Sequence, residues 1–206
     1  MDKESNQINS NGRLDIDESN HRVNNLDEEA RRPDFDVDQF VELLDDVVVL
    51  TNYDKLVEAG ATKIDLSKIK DTVNPEVAAN NLEVFEKNKT NLGDPEELVD
   101  KILEQKDSFD GPSAELKVME KFNTDAQKIM DFYLEQEDVW YFLTGTLENL
   151  VAHGAKIDPD ILIEKVIESD LAQDDGFDPD YDLDRFKKIG ASDEQLKRLL
   201  SGLGHE

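Results

Sequence analysis

Residues 92–99 read Leu-Gly-Asp-Pro-Glu-Glu-Leu-Val, the end of one helix followed at once by the start of another. Gly93 can leave a helix in the left-handed conformation that other residues resist. Asp94 is placed to accept from the first free backbone N–H groups. Pro95 suits the first turn, where its missing N–H would have had no partner, and Glu97, three residues after the cap, completes a capping box. The helix that follows is expected to bury Leu98 and Ile102, flanked by Val99 and Leu103.

The same grammar recurs outward from this point. Helix starts are expected at Asp65, Asp94, Thr124, Asp158 and Ser192, at intervals of 29, 30, 34 and 34 residues. Each follows a residue suited to a left-handed helix exit: Gly60, Gly93, Asn123, Gly154 and Gly190. Around Gly60-Ala61, Gly154-Ala155 and Gly190-Ala191 the local scheme is apolar-x-x-x-Gly-Ala and then a capped helix. The rhythm predicts an all-α chain, either stacked helical hairpins in an α-solenoid-like arrangement or an irregular helical bundle.

Between these marks, Phe40, Leu43, Leu44, Val47 and Val48 fall at helical spacing and predict a helix over about 37–50. The run Val47-Val48-Val49 is β-branched, yet no alternating segment exists to pair with it as a strand, so it is read as helix. Asp65 is expected to cap a short helix bearing Leu66, Ile69 and Val73, and Pro75 to open one running to about residue 90. Thr124 with Gln127 repeats the capping box ahead of Ile129, Met130 and Tyr133; a segment from Asp138 to His153 carries Trp140, Leu143, Leu147 and Leu150; Ser192 pairs with Gln195.

Residues 1–33 are rich in Asn, Ser and charged groups, with Leu14, Ile16, Val23 and Leu26 isolated among them. They read as a disordered acidic N-terminal tail in which Gly12–Ile16 is a candidate docking motif, ahead of a helical-hairpin domain over 34–206.

Charge sets the class of partner. The chain of 206 residues has a formal net charge of −27, from 50 Asp and Glu against 23 Lys and Arg. Such a surface repels nucleic-acid phosphates and anionic membranes and attracts basic proteins, an attraction that salt screens. With no cysteine there is no disulfide, thiolate metal site or thiol nucleophile. The polar start Met1–Ser10 has no signal-like apolar core, and the longest apolar run, Val47–Leu50, is too short to cross a bilayer, so the expected location is cytoplasmic.

The candidate partner-binding residues lie in four acidic clusters: Asp34, Asp36 and Asp38; Glu42, Asp45 and Asp46; Glu135, Glu137 and Asp138; and Asp174, Asp175, Asp178 and Asp180. Spaced along a rigid helical scaffold, they would imitate a line of phosphates. Trp140 and Tyr141, followed by Phe142, supply aromatic anchors that point about 100° apart on a helix.

Signals for chemistry are weak. Asp178, Asp180, Asp182 and Asp184 alternate like the opening of a calcium loop, but its sixth and twelfth positions hold Leu183 and Ile189 instead of the required glycine and glutamate. The three histidines, His21, His153 and His205, have no paired-ligand spacing, and no phosphate-cradling glycine loop or nucleophile elbow is present. No catalytic, metal or cofactor residue is assigned. The expectation is a non-enzymatic module that binds a basic protein, as an inhibitor or immunity-type factor mimicking nucleic acid. The alternatives are a repeat-groove peptide adaptor and, from a different class, a metal-dependent hydrolase using the carboxylate-rich 174–184 loop.

Overall fold

The computed structural model describes residues 12–106, 112–136, 145–169, 172 and 177–205. Among these, every regular element is helical, fifteen helices with no strand, so the chain is all-α. None of these helices is long and apolar enough to cross a membrane. The chain divides into two compact units, Met1–Leu92 and Gly93–Glu206, so the span 34–206 expected as one domain is split at the Leu92/Gly93 stop quoted above.

The first unit contains α1 (Ile16–Asn24), α2 (Leu26–Glu29), α3 (Val37–Leu43), α4 (Asp46–Thr51), α5 (Tyr53–Glu58), α6 (Leu66–Ile69), α7 (Pro75–Asn80) and α8 (Leu82–Lys87). Four of these helices are ended by asparagine. The side-chain amides of Asn25, Asn52, Asn81 and Asn88 each donate to the carbonyl four residues back, at 2.9, 3.0, 2.8 and 2.8 Å, capturing an acceptor at the helix end. The single helix expected over 75–90 is therefore two, parted at Asn81. That over 37–50 is likewise two. Leu44 takes an extended backbone and buries its side chain completely, and Asp45 recaps the chain by accepting from Val47 N–H at 2.9 Å. The valine run Val47–Val49 is helical, as its lack of a partner strand requires.

The tail expected over 1–33 is corrected for its described part, residues 12–33. Leu14, Val23 and Leu26 bury almost fully, Val23 and Leu26 within a core that includes Phe40, Leu44, Leu50, Leu56 and Phe85. Each such side chain contributes about 1.5–3 kcal/mol on leaving water. Polar ties fix the register: Leu14 N–H donates to Leu43 carbonyl at 2.9 Å, Asp45 N–H to Ser19 Oγ at 2.9 Å, and Lys55 Nζ to Val23 carbonyl at 2.6 Å. Three isolated apolar residues fall below any periodic signal, yet all three are buried in the folded unit.

The second unit contains α9 (Pro95–Gln105), α10 (Ser113–Phe122), α11 (Ala126–Leu134), α12 (Leu147–Ala152), α13 (Pro159–Glu168), α14 (Pro179–Lys188) and α15 (Asp193–Gly202). Leu98, Val99, Ile102 and Leu103 of α9 are all buried. The capping boxes expected at residues 94 and 124 are not made. Asp94 accepts from Glu96 N–H at 3.0 Å while Glu97 pairs with Lys101, and the cap of α11 is Asp125, not Thr124. After Asn123 turns left-handed (φ 54°), Thr124 is carried inward and buried, leaving Asp125 to accept from Gln127 N–H at 2.9 Å. Asp65, Asp158 and Ser192 do cap their helices, and Ser192 forms the reciprocal box with Gln195.

Polar ties between helices of this unit fall into two sets. In one, Asp125 N–H donates to Glu96 at 2.9 Å, Lys128 pairs with Asp100, Gln127 exchanges bonds with both backbone groups of Lys156 at 2.7 and 3.1 Å, and Arg198 meets Asp160 at 2.8 Å. In the other, Asn149 donates to Glu120 and Lys188 to Glu148. Two of these ties, Glu96 to Asp125 and Gln127 to Lys156, each span 29 residues.

Candidate interaction surface

The acidic clusters separate into carboxylates that hold the fold and carboxylates that face water. In the first unit, Asp36 caps α3 by accepting from Asp38 and Gln39 N–H at 2.9 and 3.2 Å. Asp38 reaches across to the chain after Gly60, accepting from Thr62 N–H at 2.7 Å, Thr62 Oγ1 at 2.8 Å and Lys63 N–H at 3.1 Å. These donors, the Thr62 backbone foremost, hold its pKa below the ordinary aspartate value. Asp45 caps α4, and Asp46 pairs with Arg13 while accepting from Thr72 Oγ1 at 2.7 Å. Asp34 and Glu42 are exposed. The structure thus gathers Asp45 and Asp46 at the α3–α4 corner beside Arg13, where a basic side chain already sits.

In the second unit, Glu135 is exposed at the end of α11. Glu137, Asp138, Trp140, Tyr141, Asp174 and Asp175 lie outside the described residues, as does Phe142. Asp178 caps α14 through Asp180 N–H at 3.0 Å, and Asp180 is exposed in its first turn. Asp182 is buried and fully committed, accepting from Asp178 N–H at 2.8 Å and from Arg185 at 2.9 Å. Asp184 pairs with Lys187, whose hydrogen bond lowers its pKa. The alternation that resembled a calcium loop therefore works as a helix cap with its own counter-charges. No three His, Asp or Glu side chains converge on one point among the described residues.

The histidines are dispersed. His153 ends α12, where its Nδ1–H donates to Asn149 carbonyl at 2.9 Å, and His205 lies against the Phe177 ring at 5.9 Å between centroids. A shallow surface recess of about 570 Å³ lies between α13 and α15, lined by Asp160, Ser192, Glu194, Gln195 and Arg198. Its walls are polar and the Arg198–Asp160 ion pair spans them.

What the sequence did not reveal is the seat of residues 12–29. It combines the Asp46 carboxylate, Thr72 Oγ1, the Leu43 carbonyl, the Asp45 N–H and apolar positions for Leu14, Val23 and Leu26. The only sequence signal was the presence of those three apolar residues in a polar stretch. Compared with protein families, curated proteins and solved structures, the chain matches none.

Proposed function

We propose that the chain is a non-enzymatic interaction module whose partner is a basic protein, working in the cytoplasm. The observation that carries this reading is the net charge of −27 on a folded, cysteine-free helical chain. A charge excess of that size steers cationic surfaces toward the chain and repels nucleic acid. Exposed Asp34, Glu42, Glu135 and Asp180 remain available for direct contact.

Nucleic-acid mimicry is the narrower form of the proposal. It needs carboxylates free to follow a phosphate track. Asp36, Asp38, Asp45, Asp46 and Asp178 are engaged in caps and ties, so a mimic would rely on the remaining acids. The hydrolase alternative draws no support from the described part of its loop, and among the described residues the adaptor alternative draws on the polar recess beside Arg198.

The test is affinity capture at low ionic strength followed by elution with rising salt or with duplex DNA. A basic nucleic-acid-binding protein released by DNA supports the mimic. One released by salt but indifferent to DNA supports the broader module, and failure to retain any basic protein rejects both.

A further inference from the structure

We infer that the seat of residues 12–29 on the first unit is the docking site for a basic segment of the partner, an extended arginine-leucine pair leading into a short helix, and that the chain's own segment is a displaceable occupant. This rests on the reading of the chain as a binder of basic proteins and gives that binding a location.

The occupant shows what the seat accepts. Arg13 presents a guanidinium to Asp46, which Thr72 orients through its hydroxyl, and Leu14, Val23 and Leu26 fill apolar positions one, ten and thirteen residues further on. Helix α1 packs against α4 through Ser19, whose Oγ receives the Asp45 N–H. An incoming segment of the same form, an arginine and a leucine in extended backbone ahead of a short helix that breaks before its last apolar residue, would find the same contacts.

The native occupant carries the wrong charge for its seat. Residues 12–29 contain two arginines against six carboxylates, a net −4. Residues 34–92, on which the segment lies, contain six lysines against thirteen carboxylates, a net −7. An acidic segment is therefore held on an acidic body by buried apolar groups and hydrogen bonds, against mutual repulsion. The nearby Lys55 meets the Val23 carbonyl at 2.6 Å, a contact that any helix backbone can offer. A basic segment of the same form with equal apolar groups would keep these contacts and turn the repulsion into attraction.

The connection permits exchange. Residues 30–34, Ala-Arg-Arg-Pro-Asp, are all exposed, so the segment can lift while α3, capped by its own Asp36, stays in place. Salt should act oppositely on the two occupants, tightening the native segment as repulsion is screened and weakening the basic one.

The experiment is amide hydrogen exchange on the full chain, comparing residues 15–29 with residues 40–58. The probes are a synthetic peptide of residues 12–29 carrying Asp17→Lys, Asp27→Lys and Glu28→Lys, all three exposed positions, and the unaltered peptide as control. In low salt, residues 15–29 are expected to exchange at least about tenfold faster than 40–58 and to slow as salt rises. The basic peptide should accelerate exchange in 15–29 while 40–58 stays protected, at a concentration at least about tenfold below that needed of the control. Exchange of both regions in step, or indifference of 15–29 to the basic peptide, overturns the proposal. A basic partner that binds the chain and leaves 15–29 protected also overturns the seat while sparing the broader reading. Displacement by the peptide without any basic partner supports the seat and counts against that reading.

Discussion

Lys106, at the end of α9, and Glu115, in the first turn of α10, bury their charges against each other, with Nζ and Oε2 3.4 Å apart and side chains 1% and 0% exposed. Tyr133 of α11 donates its hydroxyl to the other carboxylate oxygen, so three helices meet at one ionised group. Removing a single partner of such a pair leaves a buried charge without its counter-ion. Glu115→Ala is expected to destabilise the second unit by about 3–5 kcal/mol, whereas Lys106→Met with Glu115→Leu should recover most of that loss. Denaturant unfolding of both variants measures this; equal losses would show that packing, not charge, is what the pair supplies.

Gly154 and Gly202 separate two reasons for glycine. Gly154 has φ +99° and a Cβ there would meet nothing within 4 Å, so Gly154→Val is opposed by backbone strain and should cost about 1–3 kcal/mol. An unchanged melting temperature would place the helix stop elsewhere.

At Gly202, inside α15, a Cβ would lie 2.6 Å from Ile167 Cδ1 of α13. Gly202→Ala should therefore cost about 1–3 kcal/mol despite alanine's better helix propensity. Ile167→Ala added to it should recover part of that loss if the clash is the cause. Thermal unfolding of the single and double variants distinguishes this from a purely local effect.

Asp38 makes part of the first unit's stability acid-sensitive. Its pKa is lowered in the folded state by the Thr62 backbone N–H first, then the Thr62 hydroxyl. A lowered carboxylate pKa means stability that is present above the unfolded value, near pH ~4, and lost as pH falls through the folded one. Asp38→Asn should thus be less stable than the parent at pH 7, and the gap should close in acid below that point. Urea titrations across pH 2–7 check the sign; a constant gap would show that the three hydrogen bonds survive protonation.

Asp182 is the keystone of the α14 start. Asp182→Ala strands the Asp178 N–H and Arg185, and should cost about 1.5–3 kcal/mol, the range of hydrogen bonds to charged groups. Retained protection of the 178–186 amides in hydrogen exchange would mean that water replaces both bonds.

The sequence by itself determined where many helices stop and start, because those decisions are settled within a few residues. Gly60, Gly93, Asn123, Gly154 and Gly190 all have positive φ, and Asp65, Asp94, Asp158 and Ser192 all cap. The one-residue error at Thr124 arose where packing intervened: the core took Thr124, so Asp125 became the cap. Composition likewise determined the sign of the surface.

Only the tertiary structure decided what Asp38 and Asp46 do, because their partners are distant in sequence. Asp38 finds Thr62 24 residues ahead, and Asp46 finds Arg13 33 residues behind. Neither spacing has a periodicity that a local pattern could expose. The docking of residues 12–29 was hidden for the same reason: three scattered apolar side chains carry no helical stripe, and Val23 and Leu26 join a core only when α3, α4 and α5 are assembled to receive them.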